Sequence, residues 1–229
     1  DGIHDRIVEA IGRARALGVE VLAFPELAVT GYPPEDLLLR PSFVERAMER
    51  TRDLLPHTRG LTVVVGTVER AGALFDAAAV LHDGAWAGVY RKHHLPNYGV
   101  FDERRYFEPG GSNLVFVRGA VALGISVCED IWFAGDPVEA QARPGGAQVL
   151  VNLSASPYHA GKAGERRRML AERATAQRAF VAYVNLVGGQ DEVLHDGASL
   201  VLDPGGGVLA AGAMFAEDLV VADLDLEAV

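Results

Sequence analysis

The sequence of 229 residues contains one cysteine. A lone thiol cannot close an internal disulfide or build a cysteine-rich zinc site. Basic residues are also scarce: 21 Lys and Arg stand against 31 Asp and Glu, a formal net charge of −10. That balance argues against a nucleic-acid backbone or an anionic membrane as the main partner. Long apolar runs are missing, since each is interrupted well short of a bilayer's thickness, and no signal peptide is legible. These absences point to a reducing cytoplasm. Repeats, linkers and low-complexity tracts are absent too. Asn-Leu-Ser at 152–154 matches a glycosylation acceptor and, without a secretion signal, is read as chance. What is present is a globular composition, 49% hydrophobic and 23% charged, with 26 glycines for short turns. The length suffices for one large domain with a full core.

Hydrophobic period separates helices from strands. Residues 6–18 place Ile7, Ala10, Ile11 and Ala14 on one face, with Gly18 as a stop, and 41–55 carry Pro41 at a helix start. Residues 165–179 predict another long helix, and 136–144 a short one. Strands are expected at 19–24, 61–69, 74–82 and 85–92, the last two joined by an Asp-Gly turn. Two more are expected within 113–127, joined at Arg118–Gly119, and others at 147–152 and 180–188. A hairpin is expected around Pro204–Gly207, with a last strand at 218–226. Long loops fill 25–36 and 92–112. Alternating helices and strands imply an α/β layered domain, and the hairpins imply mixed sheets.

Ligands in open α/β sheets sit beyond the carboxyl ends of strands. Glu26, Lys92 and Cys128 each follow a buried strand, so a carboxylate, an ammonium and a thiol can meet at one mouth. A carboxylate within reach can take a thiol's proton, and an ammonium favours thiolate and stabilises an oxyanion. The three suffice for acyl transfer from an amide: attack, loss of ammonia, then hydrolysis of a thioester, with no metal or organic cofactor. Each also has a plainer reading. Cys128 can be a buried small hydrophobe, Glu26 a solvated loop acid, and Lys92 part of a wet basic cluster. His93 and His94 open a rival Cys–His pairing, for which only one of the two adjacent rings could share a cavity with Lys92.

The stretches FPELAVTGYPPEDLLLRPSF, YRKHHLPNYGVFDERRYFEPG, SVCEDIW and NLSASPYHAGK resemble the nitrilase superfamily of carbon-nitrogen hydrolases. Within it they resemble the glutaminase domains of glutamine-dependent NAD synthetases, and TGYPPEDLL and LPNYGVFDE are specific to that branch. The resemblance runs from about residue 6 to the end. It implies a nitrilase-like α-β-β-α sandwich and a Glu26–Lys92–Cys128 triad with Glu103 as a second glutamate. It implies that Tyr98, Ser156 and Lys162 hold the backbone groups of L-glutamine. A hydroxyl and a positive charge at a helix start do suit an α-carboxylate. Arg166 is the next candidate partner for that carboxylate, although Lys162 and Arg166–Arg168 also read as a solvated helix start. Tyr32 and Trp132 line the pocket or are core aromatics.

The resemblance further implies that released ammonia feeds ATP-dependent NAD synthesis by a synthetase domain, in the same longer chain or in trans. Homo-oligomeric assembly is expected as well. ATP and Mg are expected only with that synthetase domain, and no cofactor is expected in this chain. Two departures stand out. Family members begin with a strand before the first helix, and they carry a phosphate loop of SGGxDS type that PGGGV at 204–208 does not match. Residues 1–229 are therefore expected to be one glutaminase domain within a longer protein, with a strand before Asp1 and a synthetase after Val229. The rivals are a stand-alone amidase of another small ω-amide and a non-catalytic assembly domain. For the triad, Glu26→Gln and Lys92→Met are expected to cost turnover and little stability.

Overall fold

The computed structural model describes residues 2–229; Asp1, the first residue of the expected domain, lies outside the described residues. Four helices are used below: α1 (Gly2–Ala16), α2 (Pro41–Asp53), α3 (Val138–Ala142) and α4 (Lys162–Gln177). The strands are β1 (Val21–Ala23), β2 (Thr62–Ala71), β3 (Ala73–His82), β4 (Ala85–Arg91), β5 (Leu114–Arg118) and β6 (Val121–Val127). After them come β7 (Val149–Ser154), β8 (Phe180–Asn185), β9 (Val187–Gln190), β10 (Val193–Asp196), β11 (Leu200–Leu202) and β12 (Val208–Ala211).

Strands β1-β2-β3-β4 form one sheet and β12-β11-β8-β7-β6-β5 another, while β9 and β10 form a separate hairpin. Both large sheets are mixed: β1/β2, β6/β7 and β7/β8 pair parallel, and β2/β3, β3/β4 and β5/β6 antiparallel. Side chains alternate across each strand, and that alternation builds four layers. Val64, Ala78 and Val80 of the first sheet meet Leu123, Ile125, Val149, Val151 and Phe180 of the second. Their neighbours Val63, Val65, Ala79 and Leu81 point outward to Ile7, Ile11 and Ala14 of α1. On the far side, Leu150, Val181 and Leu202 pack on Met169, Leu170 and Ala174 of α4 and Val138 of α3. This is an α-β-β-α sandwich, as expected. Each fully buried Leu, Ile or Val adds about 1.5–3 kcal/mol.

Four sequence expectations change. The segment 180–188 is two strands, because the chain leaves the sheet after Asn185, and β10 pairs back on β9 with Asp196 opposite Val187. Residues 218–226 form no strand. Their exposure alternates, but the edge of β1 beside them is unpaired and no strand ladder includes them among the described residues. A cavity of about 390 Å³ runs between this segment and β1, and its lining contains none of Glu26, Lys92 or Cys128. The short helix shrinks to Val138–Ala142. Arg166 is no solvated helix start: it is fully buried, with Nη2 donating to Asp196 Oδ1 at 2.9 Å. Only Arg167 and Arg168 are exposed. Among the described residues no helix is long and apolar enough to cross a membrane.

Candidate active site

Glu26 follows β1 on a loop that crosses β2 at Gly66. A Cβ there would overlap the Pro25 carbonyl oxygen and the Leu27 nitrogen, so only glycine lets the loop lie this low. The Glu26 carboxylate is wholly buried, and both of its oxygens are engaged. Lys92 Nζ donates to Oε1 at 2.5 Å, and the Ala155 N–H donates to Oε2 at 2.8 Å. The second bond ties the end of β1 to the end of β7, across the two sheets.

Lys92 directly follows β4, and its ammonium is fully enclosed. Nζ lies 2.8 Å from a Glu103 oxygen and 3.6 Å from Asp76 Oδ2. Burial works to lower this ammonium's pKa, but Glu103 and Glu26 outweigh it and hold it well above the usual lysine range. Glu103 sits in a short turn, Glu103–Arg105, and accepts from Tyr32 Oη at 2.8 Å. Burial pushes its carboxyl up to about 7 against the pull of Lys92, with Glu26 adding to the rise.

Cys128 directly follows β6 and starts a tight helical turn, Cys128–Ile131, with φ of +43°. That is a strained conformation for a residue with a side chain, of the kind that persists where surrounding structure over-determines it. Asp130 supplies that structure. It is fully buried and accepts from Val127 N at 3.0 Å, His93 N at 3.1 Å, His94 N at 2.9 Å and Tyr90 Oη at 2.8 Å. One carboxylate thus fixes the Cys128 turn and the start of the 92–112 loop together. The thiol is held well above its usual range, first by burial, then by Glu26, with Lys92 opposing. From the sequence, a nearby ammonium is expected to favour the thiolate. Here Lys92 is already matched by carboxylates, and the balance of burial and charge disfavours the thiolate.

The Cys–His alternative loses its geometry. His94 Nδ1 lies 3.2 Å from Asp130, and His93 stacks on Tyr90 with Nε2 3.3 Å from the Ser112 carbonyl. Asp130, through a hydrogen bond, holds the His94 pKa above its ordinary value.

Tyr98 is largely exposed, and its hydroxyl donates to Glu129 Oε1 at 2.5 Å. Ser156 is buried, with its N–H on Asn185 Oδ1 at 2.9 Å. Lys162 opens α4, with Nζ 3.9 Å above the Trp132 ring and 3.5 Å from Glu165. Trp132 is half-buried, and Arg173 holds its carbonyl. Tyr32 is buried against Glu103 and lies edge-on to His195. Arg166 is committed to Asp196 and the Gly197 carbonyl, leaving it poorly placed for a substrate carboxylate.

Asp76, Asp130, Asn185 and His195 were not singled out from the sequence. Asp76 lies inside the apolar run of β3, where an acid is itself a signal, because burying one without a partner is costly. Asp130 stands third in the Cys128 turn, where a side chain can reach back to the N–H before the turn. Oxygens of Glu26, Asp76 and Glu103 lie within 4.8 Å of one another, a spacing that could hold a metal ion. The Lys92 ammonium already sits among them and would repel a metal cation, so the donor set does not fit one.

The carbon-nitrogen hydrolase family profile matches residues 1–229. A glutamine-dependent NAD(+) synthetase of Thermotoga maritima is 44% identical over 229 residues, covering 99% of this chain and 40% of that protein. One of Xanthomonas campestris is 46% identical over 223 residues, covering 96% and 40%. The chain thus spans about 40% of the length of these curated relatives. The structure of glutamine-dependent NAD+ synthetase from Acinetobacter baumannii in complex with ADP superposes with a TM-score of 0.91 at 36% identity, covering 96% of this chain and 42% of that one. A mutant amidase from Nesterenkonia sp. AN1 superposes with a TM-score of 0.86 at 27% identity, covering 98% and 84%. It carries the acetamide moiety of fluoroacetamide added covalently at its active-site cysteine.

Proposed function

The chain belongs to the carbon-nitrogen hydrolase family, and from that premise we propose that it hydrolyses the side-chain amide of L-glutamine through a thioester on Cys128. One observation carries the reading: a wholly buried Glu26–Lys92 pair bound at 2.5 Å, whose charges act on the only thiol of the chain. Glu26 takes the thiol proton as sulfur attacks the amide carbon. Lys92 stabilises the negative charge that develops on the carbonyl oxygen. Glu26 then gives its proton to the amide nitrogen, the C–N bond breaks and ammonia leaves. Water, deprotonated by Glu26, attacks the thioester. Glutamate departs, and the proton returns to sulfur. Glu103 and Tyr32 hold Lys92 in line. No metal or organic cofactor enters this scheme.

Ser156, Lys162, Trp132 and Tyr98 form the recognition rim, with the Lys162 ammonium directed at the α-carboxylate. The ammonia feeds ATP-dependent NAD synthesis by a synthetase domain, a role supported by the names of the relatives. ATP and Mg belong to that domain. We also propose a cytoplasmic location, in keeping with a lone unpaired thiol, and homo-oligomeric assembly. A second reading, a stand-alone amidase of another small ω-amide, draws on the cover of 84% of the Nesterenkonia amidase. Ammonia release over a panel of amides decides between them. Selectivity for glutamine supports the first reading, and preference for amides without an α-carboxylate supports the second.

A further inference from the structure

Three carboxylates, Glu26, Asp76 and Glu103, surround one buried ammonium, and Asp76 alone of the three has no hydrogen-bond donor on either oxygen. Glu26 has a donor on each oxygen, Lys92 Nζ at 2.5 Å and Ala155 N at 2.8 Å. Glu103 receives Lys92 Nζ and the Tyr32 hydroxyl on Oε1, each at 2.8 Å, while its Oε2, also 2.8 Å from Nζ, has no hydrogen-bond donor of its own. Asp76 is 1% exposed, and neither of its carboxyl oxygens has a hydrogen-bond donor. Its nearest charge is Lys92 Nζ at 3.6 Å, already committed to the other two acids. The backbone enforces this proximity, because the Lys92 N–H donates to the Asp76 carbonyl at 2.9 Å.

Fully ionised, the cluster would hold three negative charges against one positive in a space closed to water. Such an imbalance is costly, and it is relieved most simply by a proton. That proton belongs on the acid whose ionised form has nothing to accept from. We propose that Asp76 is a positioning residue that stays a neutral carboxylic acid in the working enzyme, so that Glu26 and Lys92 face each other as one full negative and one full positive charge beside Cys128. Burial, and after it the Glu26 charge, push the Asp76 carboxyl well above the usual carboxylate range, in the direction the geometry requires. The groups that face it are Glu26 from the loop after β1, Lys92 from the end of β4 and Glu103 from its turn. Tyr32 and Cys128 complete the cluster through their interactions with Glu26, Lys92 and Glu103.

This inference rests on the amidohydrolase reading for its kinetic part but not for its spectroscopic part. Infrared difference spectra of the substrate-free protein at neutral pH, wild type minus Asp76→Asn, should show the carbonyl stretch of a protonated carboxylic acid that moves in D2O. The band should persist in Glu103→Gln. In ammonia-release kinetics, Asp76→Leu should lower kcat by more than about tenfold with little change in KM, and Asp76→Asn, which keeps neutrality and a donor, should recover most of that loss. A band lost with Glu103→Gln instead, or absent from the wild type, overturns the proposal. So does an Asp76→Asn variant that folds as the wild type yet is as slow as Asp76→Leu. If glutamine proves not to be the substrate, the infrared result still decides the protonation state.

Discussion

The chain has two lysines, and they occupy opposite settings. Lys92 is enclosed on every side, with three carboxylates within 3.6 Å of its ammonium. Lys162 stands at the first residue of α4, over the face of an indole, with a half-exposed Glu165 for company. Charge in the first setting is weakly screened and strongly coupled to its neighbours, whereas charge in the second is shared with water. The floor of the site is therefore where chemistry can be driven, and the rim is where a substrate can be chosen. A cation–π contact of this kind holds an ammonium in place without neutralising it, leaving it able to meet an incoming anion.

The sharpest test of that contrast lies on the floor. Cys128→Ala should abolish ammonia release and leave the fold intact, since little volume is lost. Lys92→Met should lower turnover by several orders of magnitude, and it should also destabilise the protein. The sequence alone suggested a neutral effect on stability. An ammonium buried among three acids changes that expectation, because removing one partner of a buried ion pair costs about 3–5 kcal/mol. Denaturant unfolding should show the loss, and lowering the pH should narrow it as the stranded carboxyls take up protons. A Lys92→Met protein as stable as wild type across pH would erase the distinction between the two lysines.

At the rim the expected effect is smaller and selective. Lys162→Ala should raise the KM for glutamine about ten- to a hundredfold, the worth of one charge-assisted hydrogen bond. A short neutral amide should be hydrolysed as before. Equal losses on both substrates would move Lys162 into the supporting structure. Arg166 could not take over its role, being buried on Asp196.

The smallest effect concerns pH. The Glu103 carboxyl is raised from an ordinary 4.5 to about 7. The native state therefore holds this proton more tightly than the unfolded chain, and the resulting stability is present at acid pH. It is lost as pH rises from the unfolded value through about 7. Thermal melts across that window should show a decline that Glu103→Gln flattens. An unchanged slope in the variant would assign the decline to other groups of the cluster.

Much of this was legible in the sequence, for physical reasons. Apolar runs read as strands, so the residues after them could be named, and the structure brings Glu26, Lys92 and Cys128 together, although β4, the strand before Lys92, is exposed or half-buried along most of its length. The Asp83–Gly84 hairpin turn followed from its dipeptide, both residues having positive φ. What escaped depends on partners far along the chain. Asp76 is marked only by standing inside an apolar run, and Asp130 looks like an ordinary acid, until β3 and the Cys128 turn close around Lys92 and the 92–94 backbone. The alternation at 218–226 is a true strand pattern, but a strand needs a neighbour to bond, and sequence period cannot supply one. Likewise the chain leaves β8 at Asn185, whose side-chain amide donates to Gly197 O at 2.9 Å, twelve residues further on.

The account turns on Cys128 carrying the acyl group. Wild-type protein mixed with glutamine, quenched in acid within the turnover time and examined by intact mass and peptide mapping, addresses it directly. The account predicts an adduct with the mass of glutamine less ammonia, confined to the Cys128 peptide and released by hydroxylamine. Sustained ammonia release with no adduct at Cys128, or with the adduct on another residue, would contradict it.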